Sequence, residues 1–158
     1  MFCVRKATGG WRVVNAYNKL NTATIHAQTV IPQKDVLISS MGKSTIFSAL
    51  DLKDGYFHVI MNETDVAKTA VRTPSGMLWE WLVMPQELKN APETFNRVVS
   101  HAMRPHRAYA PHNWDNVSVN SRVQDGLCEI ELHKRHLDVV LLTLGDARLY
   151  VNLQKCVI

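Results

Sequence analysis

The sequence predicts one domain of the α+β class, with α/β as the alternative arrangement, on three observations. The chain has 158 residues, of which 46% are apolar and 20% are charged, which is enough for one hydrophobic core and too little for two. Stretches typical of strands and of helices interleave along the chain. No internal repeat or low-complexity tract interrupts them.

The first half of the chain predicts four strands and one short helix. The first strand follows the Gly9-Gly10 turn signal, the helix lies between Pro32 and Gly42, and the last two strands flank a Pro-Ser-Gly turn. In order, these are strand 11–17 (WRVVNAY), helix 33–41 (QKDVLISSM), strand 44–52 (STIFSALDL), strand 67–73 (AKTAVRT) and strand 77–83 (MLWEWLV).

The second half predicts two amphipathic helices and a final strand. Asn90 and Pro92 supply the cap and first-turn proline of the first helix, whose apolar positions are Phe95, Val98, Val99, Ala102 and Met103. The second helix has its apolar positions at Ile130, Leu137, Val140, Leu141 and Leu144, and ends at Gly145. Residues 147–153 (ARLYVNL) are predicted to form the last strand.

Composition excludes several classes of protein. The chain has no run of 18 apolar residues, and its first ten residues lack the apolar core of a secretion signal, so we expect an intracellular protein without a membrane partner. Three widely spaced cysteines indicate reduced thiols. The basic first 43 residues suit nucleic-acid phosphates, although charge alone favours the simpler explanation of a solvated basic face.

Two short motifs are weak on inspection. The MGKST stretch at 41–45 lacks the upstream glycine of a phosphate-binding loop, since Leu37 stands there, and it leads into a predicted strand. His133 and His136 are three residues apart with Cys128 nearby, but they lack a third dedicated metal ligand. We therefore predict that both histidines lie on a solvated helix face.

Asp51 is a stronger candidate for a functional residue. It ends the apolar strand 44–52 and is followed by a glycine-aromatic turn in the stretch FSALDLKDGYFHVIM. A carboxylate at a strand end can hold a cation, and the N–H groups of the following turn can contact a phosphate. Alone, the segment is explained as well by a surface aspartate that opens a turn.

Four segments together resemble a known family. They are FSALDLKDGYFHVIM, LVMPQELKNAPETFNRV, WRVVNAYNKLN and YVNLQKC, and in this spacing they resemble the fingers and palm of a reverse transcriptase of the Ty3/gypsy class of LTR retrotransposons. The resemblance implies an α+β palm-like antiparallel sheet backed by two helices, with a partial fingers region. It assigns residues 1–43 and 62–85 to the fingers and residues 44–61 and 86–158 to the palm. The thumb and ribonuclease H domain of the family are expected to be absent.

The resemblance also implies a catalytic site. Asp51 and Asp115 match the carboxylates that hold Mg²⁺ (or Mn²⁺) for two-metal nucleotidyl transfer. An RNA or DNA template-primer and a deoxynucleoside triphosphate are the implied partners. The residues that match nucleotide-binding positions of the family are Arg12, Asp54, Gly55, Tyr56 and Gln86, and Lys155 lies near a palm lysine of the family.

Several residues depart from the family pattern. Asn116 stands where the family has its second hairpin aspartate, and Glu87 replaces a glycine beside the nucleotide pocket. Pro111 precedes the hairpin, so whether residues 112–121 form a hairpin is left open. Three hypotheses follow: a reverse transcriptase domain with weak or no activity, a non-catalytic nucleic-acid binder, and a domesticated module with a protein partner.

Overall fold

The computed structural model describes residues 2–6, 9–28, 34–123, 126 and 128–158. The chain forms two compact units, each built from two segments. The first unit comprises Met1–Ala27 and Tyr56–Pro92, and the second comprises Gln28–Gly55 and Glu93–Ile158. Among the described residues, no helix is long and apolar enough to cross a membrane.

The first unit contains two small antiparallel ribbons. β1 (Phe2–Arg5) pairs with β2 (Trp11–Val14), and β4 (Val71–Arg72) pairs with β5 (Leu78–Trp79). The unit also holds the helices α1 (Asn18–Ala23) and α3 (Glu63–Val66). All three strands that we predicted in this part of the chain therefore form, but each is shorter than predicted.

One part of these predictions is wrong. Residues Ala67–Thr69 form a 3-10 helical turn that continues from α3, where we predicted the beginning of a strand. The Thr69 hydroxyl donates to the carbonyl oxygen of Val66 at 2.6 Å, and it accepts a hydrogen bond from the Trp81 N–H at 2.8 Å. This local bond competes with strand pairing, which explains why the β-rich composition did not decide the structure.

The second unit is a three-stranded antiparallel sheet with helices. Its strands are β3 (Ile46–Asp51), β6 (His112–Asn113) and β7 (Asn116–Ser121), in the order β3-β7-β6. Its helices are α2 (Lys34–Met41) and α5 (Glu129–Asp146), together with most of α4 (Ala91–Met103). The predicted strand 44–52 and the three predicted helices are confirmed, except that Gln33 lies outside the described residues.

The core of this unit lies on one face of the sheet. Ser48 and Leu50 of β3 are buried, as are Val117 and Val119 of β7, and α5 contacts both strands. Phe95, Val99, Val140 and Leu144 are buried on the two longest helices. Phe47 of the same strand is 51% exposed, because strand residues alternate between faces and Phe47 lies on the open one.

The buried face of α5 also differs from the prediction. Ile130 is 69% exposed and Leu141 is 38% exposed, whereas His133 is buried. The His133 ring shares hydrogen bonds with the hydroxyls of Ser48 at 2.8 Å and Ser121 at 2.9 Å. The prediction of a solvated histidine face is therefore wrong, because serines on β3 and β7 satisfy the ring that the helix buries.

His136 takes part in the same polar cluster. Its ring shares a hydrogen bond with the Ser121 hydroxyl at 2.8 Å and stacks on Tyr109, with ring centroids 3.8 Å apart. The Tyr109 hydroxyl in turn bonds to His106 at 2.7 Å, and His106 bonds to Thr143 at 2.8 Å. Burial is the largest cause that lowers the pKa of His136.

The predicted strand at 147–153 is wrong. Within this segment only Val151 forms a β-bridge, with Leu52 just after β3, and a second isolated bridge joins Ala49 of β3 to Val157, beyond a 3-10 turn at Leu153–Lys155. The C-terminal segment therefore runs along the edge of β3 that is not paired with β7, and it meets this edge on either side of the turn. The consequence is that residues 155 and 156 come to lie beside the end of β3.

Candidate active site

Asp51 is the last residue of β3, and its environment is largely set by the C-terminal segment. Its side chain is 14% exposed, and one carboxylate oxygen lies 3.2 Å from the Lys155 ammonium nitrogen. The Asp51 N–H donates to the Cys156 sulfur at 3.4 Å, and the Asp51 carbonyl oxygen accepts from the Asn152 N–H at 2.8 Å. The Asp51 carboxylate is thus largely buried and already paired with the Lys155 ammonium group.

The hairpin that the sequence left open does form. β6 and β7 pair antiparallel around a two-residue turn at 114–115, and Trp114 has φ +57°. A positive φ at the first central residue is what two-residue hairpins require, although a bulky side chain adopts it at a cost of about 1–3 kcal/mol. Pro111 lies just before β6, and its carbonyl oxygen accepts from the Ser118 N–H at 2.8 Å. The proline therefore does not remove a donor from the paired strand.

The sheet register brings the two predicted carboxylates to the same end of the sheet. The Leu52 N–H donates to the Asp115 carbonyl oxygen at 2.8 Å, and Asp51 is paired directly with Asn116. Directly opposed residues of an antiparallel pair project from the same face, with Cβ atoms about 5 Å apart. The Asn116 amide also donates to the Asp115 carboxylate at 3.0 Å. Asn116 is therefore the cross-strand neighbour of one acid and the hydrogen-bond partner of the other.

The turn after β3 begins with two of the predicted nucleotide-binding residues. Asp54 is exposed and has φ +49°, and Gly55 is buried. A Cβ placed on Gly55 would lie 2.9 Å or less from three ring atoms of Phe95, which is fully buried. Gly55 belongs to the stretch FSALDLKDGYFHVIM and Phe95 to the stretch LVMPQELKNAPETFNRV. These two segments of the resemblance therefore contact each other at Gly55 and Phe95.

Comparison with known proteins agrees with this geometry. A family profile described as "Reverse transcriptase (RNA-dependent DNA polymerase)" matches residues 4–158. This chain belongs to the reverse transcriptase family. The structure of "the foamy viral protease-reverse transcriptase dRH in complex with ds DNA" superimposes with a TM-score of 0.87 at 20% identity, covering 99% of this chain and 26% of that one. That likeness shows the fold, which is the predicted palm-like antiparallel sheet with helices.

Curated relatives place the chain among retrotransposon and viral polyproteins. It is 34% identical over 146 residues to the "Retrovirus-related Pol polyprotein from transposon opus" of Drosophila melanogaster. It is 30% identical over 145 residues to the corresponding polyprotein from transposon gypsy of the same species. These matches cover 92% and 91% of this chain but only 14% and 13% of the polyproteins. The predicted likeness to the gypsy class is confirmed at this level.

The remaining predicted site residues of the reverse transcriptase fold lie in the first unit. Arg12 is an exposed residue of β2, Tyr56 belongs to the 3-10 turn Gly55–His58 and is half-buried, and Gln86 is half-buried in the loop before α4. Asp51, Asp54, Gly55 and Asp115 all belong to the second unit. The sheet register therefore places Asp51 and Asp115 at the same end of the sheet, whereas Arg12, Tyr56 and Gln86 belong to the other unit.

Two asparagines hold the loop that bears Gln86 and Glu87: Asn21, which the sequence did not single out, and Asn90, which it suggested only as a helix cap. The Asn21 amide donates to the Glu87 carbonyl oxygen at 2.8 Å and accepts from the Lys89 N–H at 2.9 Å. Asn90 does the reverse, donating to the Ile25 carbonyl oxygen at 2.8 Å and accepting from the Ala27 N–H at 3.0 Å. Each amide replaces a pair of backbone hydrogen bonds, so the two segments are tied as neighbouring strands would be.

Glu87 influences the electrostatics of this loop. Burial, and next the negative charge of Glu87, raise the pKa of Tyr17 to about 12. The Tyr17 hydroxyl donates to the Thr69 carbonyl oxygen at 2.9 Å. The Glu87 carboxylate thus adds negative potential around Tyr17.

The donor set at the end of β3 suits one magnesium ion better than two. Asp51 and Asp115 supply two carboxylates, and Mg²⁺ is commonly held by one or two carboxylates together with substrate phosphates. Among the residues that the structure describes, no three His, Cys, Asp or Glu side chains cluster as a metal-binding group. These two carboxylates alone would hold Mg²⁺ only weakly.

Cys156 and Lys155 illustrate what the sequence could reveal about this site. Lys155 was placed near a palm lysine by resemblance, and in the structure its ammonium group pairs with the Asp51 carboxylate. Cys156, whose sulfur accepts from the Asp51 N–H, was not recognised. No local pattern marks it, because the contact exists only after the C-terminal segment has crossed the edge of β3.

Proposed function

We propose that this chain is the fingers and palm part of a retrotransposon reverse transcriptase whose nucleotidyl transfer is strongly weakened. The family membership and the fold support the first half of this proposal. The neighbourhood of Asn116 carries the second half. Because the chain spans about one seventh of the length of its relatives, the activity of the whole protein is part of the proposal.

The amide of Asn116 is the observation that carries the loss of activity. A second aspartate at this position would stand opposite Asp51 and beside Asp115, and three clustered carboxylates would require a cation to offset their repulsion. The amide instead donates a hydrogen bond to Asp115, so that this carboxylate is satisfied without an ion. Metal affinity depends on the number of charged ligands, and one has been lost.

Lys155 acts in the same direction. Its ammonium group lies 3.2 Å from the Asp51 carboxylate and supplies positive charge where the family holds a cation. The side chain of Lys155 is 64% exposed, so this pair alone is weak and can be displaced. The two carboxylates carry two negative charges. The Lys155 ammonium group offsets one of them, and the Asn116 amide satisfies the other carboxylate by a hydrogen bond without changing its charge.

In this proposal, the assigned residues bind the metal ion and the substrates. Asp51 and Asp115 would hold Mg²⁺ or Mn²⁺, which when bound would activate the primer hydroxyl and neutralise pyrophosphate. The N–H groups of Asp54 and Gly55, with Arg12, would contact the triphosphate, Tyr56 would contact the sugar, and Gln86 would lie against the incoming nucleotide. The RNA or DNA template-primer is the further partner of this proposal.

A direct metal-binding measurement tests the proposal. Mn²⁺ binding to the wild-type chain and to Asn116→Asp, followed by electron paramagnetic resonance, should show an affinity about tenfold higher for the variant, which corresponds to about 1.4 kcal/mol for one added charged ligand. Asn18→Asp adds the same charge at an exposed position of α1 in the other unit and is the matched control. Equal Mn²⁺ affinity of wild type and Asn116→Asp would overturn the argument from charge.

Primer extension supplies the second measurement. Wild-type protein should extend a primer on an RNA template poorly or not at all with either metal ion, and it should still bind the duplex in a salt-dependent manner. Efficient extension by the wild-type chain that is abolished by Asp51→Asn would refute the proposed loss of activity. Loss of salt-dependent binding would refute the retained nucleic-acid surface.

A further inference from the structure

The second unit contains a pocket that is separate from the acids of the candidate site. Its volume is about 410 Å³, which lies in the range of small-molecule sites. Its walls come from α2, from the C-terminal end of α4 and the turn after it, and from Pro111 and the first residue of β6, His112. None of the residues assigned to nucleotidyl transfer lines it.

The lining has an apolar part and a cationic part. Leu37, Met103 and Pro111 supply apolar surface, and Met103 and Pro111 are themselves buried. Arg104 and Arg107 lie three residues apart after α4 and supply two guanidinium groups. None of the nine residues that line the pocket is acidic, and among the described residues no salt bridge involves Arg104 or Arg107.

The polar part of the lining is fixed in position. The His112 ring shares a hydrogen bond of 2.9 Å with the Ser100 hydroxyl, and both residues line the pocket. Burial first, and then the positive charge of Arg107, lower the pKa of His112. That effect of Arg107 reports a local excess of positive potential, which a bound anion would relieve.

We propose that this pocket binds a small amphipathic anion, namely a compound with an aromatic or aliphatic body and one carboxylate or phosphate group. The apolar body fills the space beside Met103 and Pro111, and the anionic group pairs with Arg104 and Arg107. Two neighbouring guanidinium groups favour planar carboxylates and phosphates, which accept paired hydrogen bonds. This inference does not rest on the proposed nucleotidyl transfer.

The pocket is physically connected to the hairpin. His112 is the first residue of β6, and it is paired with Val117 of β7 next to the Asn113–Asn116 pair that closes the turn. A ligand that orders His112 and Pro111 therefore contacts the base of the strand that leads to Trp114 and Asp115. Binding in the pocket should consequently be felt at the turn, three residues away along the chain.

Benzoate and benzamide are a matched pair of probes for this proposal. They have equal numbers of non-hydrogen atoms and differ in charge, and benzoate remains ionised between about pH 5 and 8. For a ligand of this size we expect a Kd on the order of 1 mM. In nuclear magnetic resonance titrations, benzoate should shift the signals of Ser100, His112 and the Trp114 indole N–H in a saturable way, and benzamide should bind at least about tenfold more weakly.

Variants separate the pocket from general attraction to a basic protein. Arg104→Gln and Arg107→Gln should each weaken benzoate binding about tenfold. Arg97→Gln, an exposed arginine on α4 that does not line the pocket, should leave the affinity unchanged. Bound benzoate should also raise the pKa of His112, because an anion offsets the charge of Arg107.

The outcomes that overturn the proposal are distinct. Non-saturable shifts, or equal effects of Arg97→Gln and Arg107→Gln, would show that the anion is attracted by net charge rather than held in the pocket. Equal affinities for benzoate and benzamide would show that the two arginines do not recognise an anionic group. Circular dichroism of each variant verifies that the fold is retained. Failure here leaves the Mn²⁺ measurement on Asn116→Asp untouched, so the two proposals are tested separately.

Discussion

Replacement of Gly55 by alanine tests whether the two family motifs are held together by their contact. The backbone of Gly55 does not require glycine for conformational reasons, because its φ is not in the positive range. The added Cβ, however, would lie 2.9 Å or less from three atoms of the Phe95 ring. Because Phe95 is fully buried at 0% exposure, its ring cannot move into solvent to make room.

The magnitude follows from the cost of overpacking. Inserting a methyl group into a filled core costs about 1–3 kcal/mol, and the close approach here favours the upper half of that range. We therefore expect Gly55→Ala to lower the free energy of unfolding by about 2–3 kcal/mol. For a chain of this size, that corresponds to a fall in Tm of roughly 4–12 °C.

A double-mutant cycle makes the assay specific. Urea unfolding of wild type, Gly55→Ala, Phe95→Leu and the double variant gives the coupling energy between the two positions. Leucine removes the outer ring atoms that the new Cβ would meet, so the double variant should be more stable than the sum of the single changes predicts, by about 1 kcal/mol or more. Additive effects, or a Gly55→Ala variant as stable as wild type, would refute the reasoning.

Three further outcomes are expected. The free energy of unfolding should fall as the pH drops below about 6.5, because burial lowers the pKa of His133 in the folded chain, and a urea midpoint that is unchanged between about pH 7 and 5 would contradict this. Glu87→Gln should lower the pKa of Tyr17 from about 12 in an alkaline absorbance titration, while an unchanged pKa would leave burial as the only cause. Lys155→Gln should raise the Mn²⁺ affinity a few-fold by freeing the carboxylate of Asp51, and it should change the free energy of unfolding by less than about 1 kcal/mol. A weaker Mn²⁺ affinity of this variant would show that the ammonium group does not compete with the metal ion.

The elements that the sequence predicted well are those in which local pattern and tertiary burial agree. α4 combines a cap residue, a first-turn proline and apolar residues at helical spacing, and it forms at Ala91–Met103. β3 forms at Ile46–Asp51 within the predicted stretch. In both, the apolar residues that define the pattern include fully buried ones, Phe95, Val99 and Leu50. Propensity and packing therefore point to the same structure.

The failures have one physical cause, which is that tertiary partners decide between equally good local choices. His133 is buried because Ser48 and Ser121 happen to face it from two strands, and nothing in the sequence around the histidine records those serines. Residues 147–153 have strand composition, yet they meet only the edge of β3 and pair there at isolated points. Composition fixes the tendency, whereas the available partner fixes the outcome.

The candidate site shows the same division. Asp51, Asp115 and the motif around Gly55 were identified from residues and resemblance, and the structure places the backbone of Asp51 opposite Asn116 in the sheet. The contact of Lys155 with Asp51 depends on a chain crossing that only the fold supplies. The motif residues are therefore readable from the sequence, whereas the charge balance among them is not.

That charge balance links the stability of the hairpin to the proposed loss of metal affinity. A polymerase hairpin with two aspartates opposite a third acid is strained by like-charge repulsion and depends on a bound cation to offset it. Here Asn116 donates to Asp115, and Lys155 pairs with Asp51, so the turn is satisfied from within the chain. The two-residue turn, with its positive φ at Trp114, therefore forms with an amide rather than a carboxylate at position 116. The same substitution that removes a metal ligand thus removes the need for the metal, and this is why Asn116→Asp should gain Mn²⁺ affinity while losing stability in its absence.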